Sequence, residues 1–234
     1  MGEQQYYEAL LEAALHTQVC SRCHRAYGHE VRNSLQGLYG GFDAVTRAVQ
    51  NKTPTSIPLD KSVQFVRQAL TGHEQSLDRM LHALAPANDE PTAIDVGGLL
   101  SGLAKFLSSD AARHNVKIQL SNGEAASIHA QLNRLRLAFL SLMTDAIDVM
   151  TAGGEIRLLT RTQDDRVELE VTDTRTQPLP ADPWTLDFSQ PSLQEAIAMP
   201  VVQRIVVSQG GRIECGARDG GGRIVRMSFV RLAT

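Results

Sequence analysis

From about Gln4 to Val49 the chain reads as one long helix, and its second half places Val31, Leu35, Leu38, Phe42, Val45 and Val49 at steps of four and three. That 3.5-residue period keeps one narrow apolar seam turned toward partner helices. Gly28, Gly37, Gly40 and Gly41 weaken the helix, each by up to about 1 kcal/mol relative to Ala, so packing must hold it. Two prolines between Asn51 and Pro58 mark a turn. A second helix repeats the spacing with Val63, Val66, Leu70, His73, Leu77, Met80 and Leu84. His73 falls on that seam and reads as a partly buried packing residue. Two antiparallel helices cannot enclose a core alone. The paired seams therefore predict a homodimeric four-helix bundle over residues 1–88.

The pattern changes after Pro86–Thr92, a polar stretch with proline near both ends that reads as a linker. Residues 93–234 alternate strand and helix signals. A strand at Ala93–Asp95 leads to a helix through about His114 and a strand at Val116–Leu120. A helix over Leu132–Met150 closes on Gly153-Gly154 and is followed by alternating strands at Glu155–Arg161 and Arg166–Asp173. A polar stretch, Thr174–Pro191, carries the lone tryptophan, Trp184; then a helix runs to Ser208 and a hairpin pairs Arg212–Ala217 with Arg223–Arg231. This order predicts an α/β sandwich.

Composition narrows the function classes. The 234 residues are 42% apolar and 21% charged, an ordinary globular balance, and the net charge of −3 comes with scattered Lys and Arg. No basic stripe is present to grip nucleic acid. No apolar run approaches the ~20 residues of a membrane span, and the Glu- and Gln-rich start is no signal peptide. A cytoplasmic protein without a preceding sensory or membrane segment is the expectation. Cys20-Ser21-Arg22-Cys23-His24 spells the pattern for c-type haem attachment, but that chemistry needs export. A zinc site lacks a second ligand pair at suitable spacing. These cysteines read as thiols on a helix, and Cys215 as core.

One polar group stands out on the first helix. His29 lies off the apolar seam and faces water, with Arg32 and Asn33 on the same side three and four residues on. An exposed His on an amphipathic helix is ordinarily a surface residue, yet a largely neutral imidazole beside the carboxylate Glu30 is also a candidate nucleophile. The string His29-Glu30-Val31-Arg32-Asn33-Ser34-Leu35 resembles the phosphoacceptor box of bacterial histidine kinases, with Ser34 where proline is usual. The later region resembles the ATP-binding domain of the same family, the Bergerat fold. Leu140–Met150 with Gly153-Gly154 stands for the Asn-bearing helix, Val171-Thr172-Asp173 for the strand carrying the adenine-binding Asp, and Val202–Ile213 for the last helix and its turn. The resemblance implies a helical hairpin, dimeric as a four-helix bundle, followed by an α/β sandwich of histidine kinase ATPase-like type.

The nucleotide boxes depart from the family pattern. Asp173-Thr174-Arg175-Thr176-Gln177 replaces the first glycine box, and Gln194–Pro200 replaces the second. Glycines there let backbone amides approach phosphate. Ser141 and Asp145 occupy the two asparagine positions, leaving Asp145 and Asp173 as remnants of an ATP site. Three readings follow: a histidine phosphotransferase relaying through His29 between response-regulator receiver domains, a scaffold that only binds a receiver or kinase, and a kinase with weak residual ATP use. An intact acceptor box beside altered glycine boxes favours the first. In that reading His29 carries the phosphoryl group, Glu30 orients the ring, Arg32 steers the anion, and Asn33 positions a hydrolytic water. No cofactor is expected on this chain; the receiver brings Mg²⁺. Aromatic residues of the lid-like stretch Trp184–Phe188 either anchor the receiver or pack onto their own domain.

Overall fold

The computed structural model describes residues 3–50, 59–83, 85, 90–123, 126–187, 189–190, 193–218 and 220–232. The expected turn at Asn51–Pro58 and most of the expected linker lie outside those residues. By its contacts the chain divides into two compact units, one joining Met1–Arg22 to Ala83–Thr234, the other Cys23–His82. The expected division had kept residues 1–88 together. The difference is the first 22 residues, which pack with the later region.

The helical unit takes most of α1 (Glu3–Val49) and α2 (Leu59–Ala83). Their seams behave unevenly within one chain. Leu38 and Val66 are buried, whereas Leu35 is 41% exposed, Phe42 54%, and Val63, Leu70 and Leu77 are also open. Gly41 lets the helices approach closely, since a Cβ there would lie 2.6 Å from a Val66 methyl and 3.2 Å from the Phe65 ring. His73 is half-buried, as its seam position implies.

The α/β unit follows the alternation in the sequence. A five-stranded sheet runs β2 (Val116–Asn122), β4 (Gly154–Gln163), β5 (Arg166–Asp173), β7 (Arg223–Val230), β6 (Arg212–Ala217), with β2–β4 parallel and the other pairs antiparallel. Two short strands, β1 (Thr92–Asp95) and β3 (Ser127–Ala130), form a separate antiparallel ribbon. β3 is absent from the sequence expectation because four residues with one small turn carry too little periodicity to register. Ile156, Leu158, Val167, Leu169, Val171, Val225, Met227 and Phe229 point to one face, which is buried. α3 (Val96–Arg113), α4 (Leu132–Val149) and α5 (Leu193–Ser208) form the helical layer. The alternate residues Arg157, Arg161, Glu168, Glu170 and Arg226 lie on the other face, where Arg161 pairs Glu168 and Arg226 pairs Glu170 across strands. Helix ends follow local rules: the Asp95 carboxylate caps α3 by accepting from the Gly97 N–H at 3.1 Å, and left-handed Asn115 (φ 55°) stops it. Among the described residues no helix is long and apolar enough to cross a membrane.

Candidate functional site

His29 projects from α1 into solvent, and Arg32 and Asn33 are exposed beside it along the same helix. Glu30 lies in α1, but its side chain is outside the described residues. The expected face is therefore assembled by helical geometry alone.

At the other expected site, four charged side chains converge inside the α/β unit. Asp173 ends β5 and Arg223 begins β7; the two are direct cross-strand partners on the buried face. Asp145 enters from α4, and Arg175 turns inward two residues beyond β5. Arg175 donates from Nε and Nη2 to the Asp173 carboxylate at 2.8 and 2.9 Å, and from Nη2 to Asp145 Oδ2 at 2.8 Å. Arg223 reaches Asp145 Oδ2 at 2.8 Å and Asp173 Oδ2 at 3.1 Å, and its remaining nitrogen donates to the Leu142 carbonyl at 3.2 Å. All four are nearly out of water, with Asp145 7%, Asp173 1%, Arg175 8% and Arg223 3% exposed. Two carboxylates this close and this dry repel unless cations accompany them. Burial alone would raise the Asp145 carboxyl, but the guanidiniums of Arg223 and Arg175 outweigh it and hold the group below its usual range. Burial likewise opposes the charge on Arg175, and Asp145 and Asp173 more than offset it. The cluster is neutral and mutually satisfied.

Backbone detail holds this arrangement in place. The Glu155 N–H donates to Thr174 Oγ1 at 2.9 Å and the Thr174 N–H returns a bond to the Glu155 carbonyl at 3.1 Å, which fixes the chain just before Arg175. Gly222 adopts φ +106°, and a Cβ there would collide with the Asp173 carbonyl, so the β6–β7 turn folds over the end of β5 only as glycine.

The segment aligned with the second glycine box is wound into α5, with Pro200 inside the helix. Pro200 has no N–H to offer the Ala196 carbonyl one turn back. The Asp187 N–H takes that place at 3.3 Å, tying the lid-like stretch to α5. Within that stretch the Asp182 carboxylate accepts from the Trp184 N–H at 3.0 Å and from Thr185 at 2.7 Å. Trp184 is half-buried; Phe188 lies outside the described residues. A cavity of about 580 Å³ opens between these parts, lined among others by Asp145, Arg175, Gln177, Met199, Cys215 and Arg223. Gln177 is exposed where it lines this cavity, whereas Arg175 is buried. Cys215 is half-buried against the cavity rather than in the core. Sequence reasoning singled out Asp145, Asp173 and Arg175 but missed Arg223, whose only signal was its place opposite Asp173 in the final hairpin.

No protein-family model and no curated protein matches the chain. Solved structures do. A nucleotide-free catalytic domain of histidine kinase ThkA is similar over 61% of this chain and 97% of its own, at 15% identity and a TM-score of 0.54. Full-length ShkA in complex with AMPPNP is similar over 93% of this chain and 47% of its own, at 22% identity and a TM-score of 0.54. ThkA in complex with the response regulator protein TrrA is similar over 99% of this chain and 67% of its own, at 16% identity and a TM-score of 0.54. The chain thus has a helical N-terminal region followed by an α/β domain with the fold of histidine kinase catalytic domains.

Proposed function

We propose that this chain is a homodimeric histidine phosphotransferase that passes a phosphoryl group through His29 between response-regulator receiver domains, without ATP. The observation that carries the reading is a contrast. His29 stands in water within an acceptor-like box, whereas the two aspartates at the nucleotide place are buried against Arg175 and Arg223. A Mg²⁺–nucleotide does not fit that place. Its carboxylates already have cations, its glycines are replaced, and Pro200 removes a backbone donor.

In the transfer, the neutral His29 ring attacks with its Nε2 lone pair, forming a P–N bond as the P–O bond to the donor receiver's aspartate breaks. Glu30 holds the proton on Nδ1, and the reverse step returns the group to a second receiver's aspartate. Mg²⁺ belongs to the receiver, since phosphoryl transfer chiefly needs positioning and charge neutralisation. Arg32 draws the anionic group, and Asn33 orients water when the receiver is dephosphorylated. The open seam residues Leu35, Phe42, Leu70 and Leu77 support pairing of two copies into a four-helix bundle. A kinase of similar fold, ThkA, forms a complex with a response regulator, which supports receivers as partners here.

The purified protein incubated with labelled phosphoreceivers from its own genome should become labelled, His29→Ala should not, and Asn33→Ala should lose only receiver dephosphorylation. Full transfer by His29→Ala overturns the reading. Labelling of wild type by Mg²⁺–ATP alone would instead make it a kinase, and binding of a receiver without any transfer would make it a scaffold.

A further inference from the structure

The first turns of α1 do more than precede His29. Glu8, Glu12, Leu15, Val19 and Arg22 recur at steps of four and three, so they share one stripe of the helix. Leu15 and Val19 are fully buried. Arg134 on α4 forks onto Glu12, with both bonds at 2.7 Å. Arg22 shares its Nε–H between the two oxygens of Asp148, also on α4, at 2.8 and 2.9 Å, and its Nη2 lies 2.7 Å from Asp110 Oδ2 on α3. Arg204 on α5 donates to the Glu8 carbonyl at 3.0 Å. One stripe is thereby tied to all three helices of the layer. Beneath it, α4 is buried at every residue from Leu137 to Ile147, as expected for a helix covered on more than one side.

We propose that residues 3–22 are a built-in clasp: the first turns of α1 belong to the α/β unit and bind its α3–α4–α5 layer together. The contact combines a dry apolar pair, a bidentate Arg134–Glu12 fork and the ion pairs of Arg22 with Asp148 and Asp110, and bidentate forks are among the strongest and most directional charge-assisted bonds. Removing one partner of such a pair leaves a buried charge without compensation. The clasp stands apart from the phosphotransfer reading, and either can fail alone.

Native-state hydrogen exchange of the full chain tests it. In wild type, amides of residues 3–22 should exchange in step with those of α4. In Glu12→Arg they should exchange about tenfold faster or more, the loss expected for hydrogen bonds to a charged group. The swap Glu12→Arg with Arg134→Glu should restore protection, which distinguishes the clasp from protection by dimerisation of α1. Fast exchange of residues 3–22 in wild type while α4 stays protected overturns the proposal, and so does a swap that restores nothing. Should Glu12→Arg also unfold α4, the swap alone decides: recovery supports the clasp, and continued loss overturns it.

Discussion

The two units solve the burial problem in opposite ways. In the α/β unit one sheet face, three helices and the start of α1 leave Ile156, Leu158, Leu169, Val225 and Phe229 essentially without water contact. The hairpin of Cys23–His82 buries Leu38 and Val66 but leaves Leu35, Phe42, Leu70 and Leu77 open. In the proposed dimer a second copy would cover this exposed half of the seam with its own. The finished unit has meanwhile placed its most costly polar groups inside. The lesson is that exposure and burial exchange roles between the units: apolar residues lie outside in the helical unit, and paired charges lie inside in the α/β unit.

The largest effect should come from breaking the buried charge set. Arg223→Met leaves Asp145 and Asp173 with a single cation, and the loss should be about 3–5 kcal/mol in the α/β unit's unfolding free energy. Denaturant titration followed by Trp184 fluorescence reads it. A cost below about 1 kcal/mol would mean that the cluster is far wetter than its burial implies.

Next comes the open seam. Leu77→Glu puts a charge on a position that is 40% exposed in one chain and buried only in the proposed dimer. It should leave the α/β unit folded and convert the dimer to monomer at micromolar concentration, as read by light scattering. Leu38→Glu differs in kind, because Leu38 is buried already within one chain. It should melt the hairpin itself, at a cost of several kcal/mol. If both variants behaved alike, the distinction between inner and outer seam would be wrong.

Much of this was legible in the sequence, and the failures share a cause. The long elements appear where their periods place them, because a 3.5-residue or two-residue repeat over many residues leaves little choice. The expected helix Leu132–Met150 and strand Arg166–Asp173 coincide with α4 and β5 to within a residue. Three things escaped. β3 is too short to show a period. The clasp residues Glu8 to Arg22 keep the same four-and-three spacing as the seam, so the period could not tell which partner they face. The Asp173–Arg223 pairing depends on a register between β5 and β7 that only the assembled sheet supplies. Periodicity names the face of an element and is silent on what covers it.

Acid sharpens the comparison further. In the α/β unit the Asp145 carboxyl is held low by Arg223 and Arg175 against its burial, and Asp110 is held low by Arg22 and Arg113 against the same opposition. A carboxyl whose folded pKa is depressed contributes stability that is complete above its unfolded value and is lost as pH falls through the folded one. Melting of the α/β unit should therefore be flat from neutral pH down to about 5 and fall steeply below about 4, the ordinary carboxylate range. Asp145→Asn should lower the neutral-pH melting temperature and flatten that acid limb. An acid limb of unchanged slope in Asp145→Asn would assign the dependence to other carboxylates.

The smallest effect should lie on the open face of the sheet, and it tests whether burial rather than pairing gives the inner cluster its weight. Arg161 and Glu168 are cross-strand partners in the β4–β5 register, with Nε and Oε2 at 2.5 Å. Arg226 and Glu170 make the same kind of pair across β5 and β7 at 3.0 Å. By distance alone these equal the inner bonds of Arg175 and Arg223. Their arginines, however, are about half in water, where high dielectric and side-chain entropy remove most of the Coulombic gain. A double-mutant cycle on Arg161→Ala and Glu168→Ala should give a coupling of about 0.2–1 kcal/mol. It should shrink toward zero near 1 M salt, where the screening length is about 3 Å. The inner pair, out of reach of counterions, should keep its coupling under the same salt. If the outer coupling equalled the inner one and ignored salt, pairing geometry and not desolvation would set the energy, and the contrast drawn between the two places would have no physical basis.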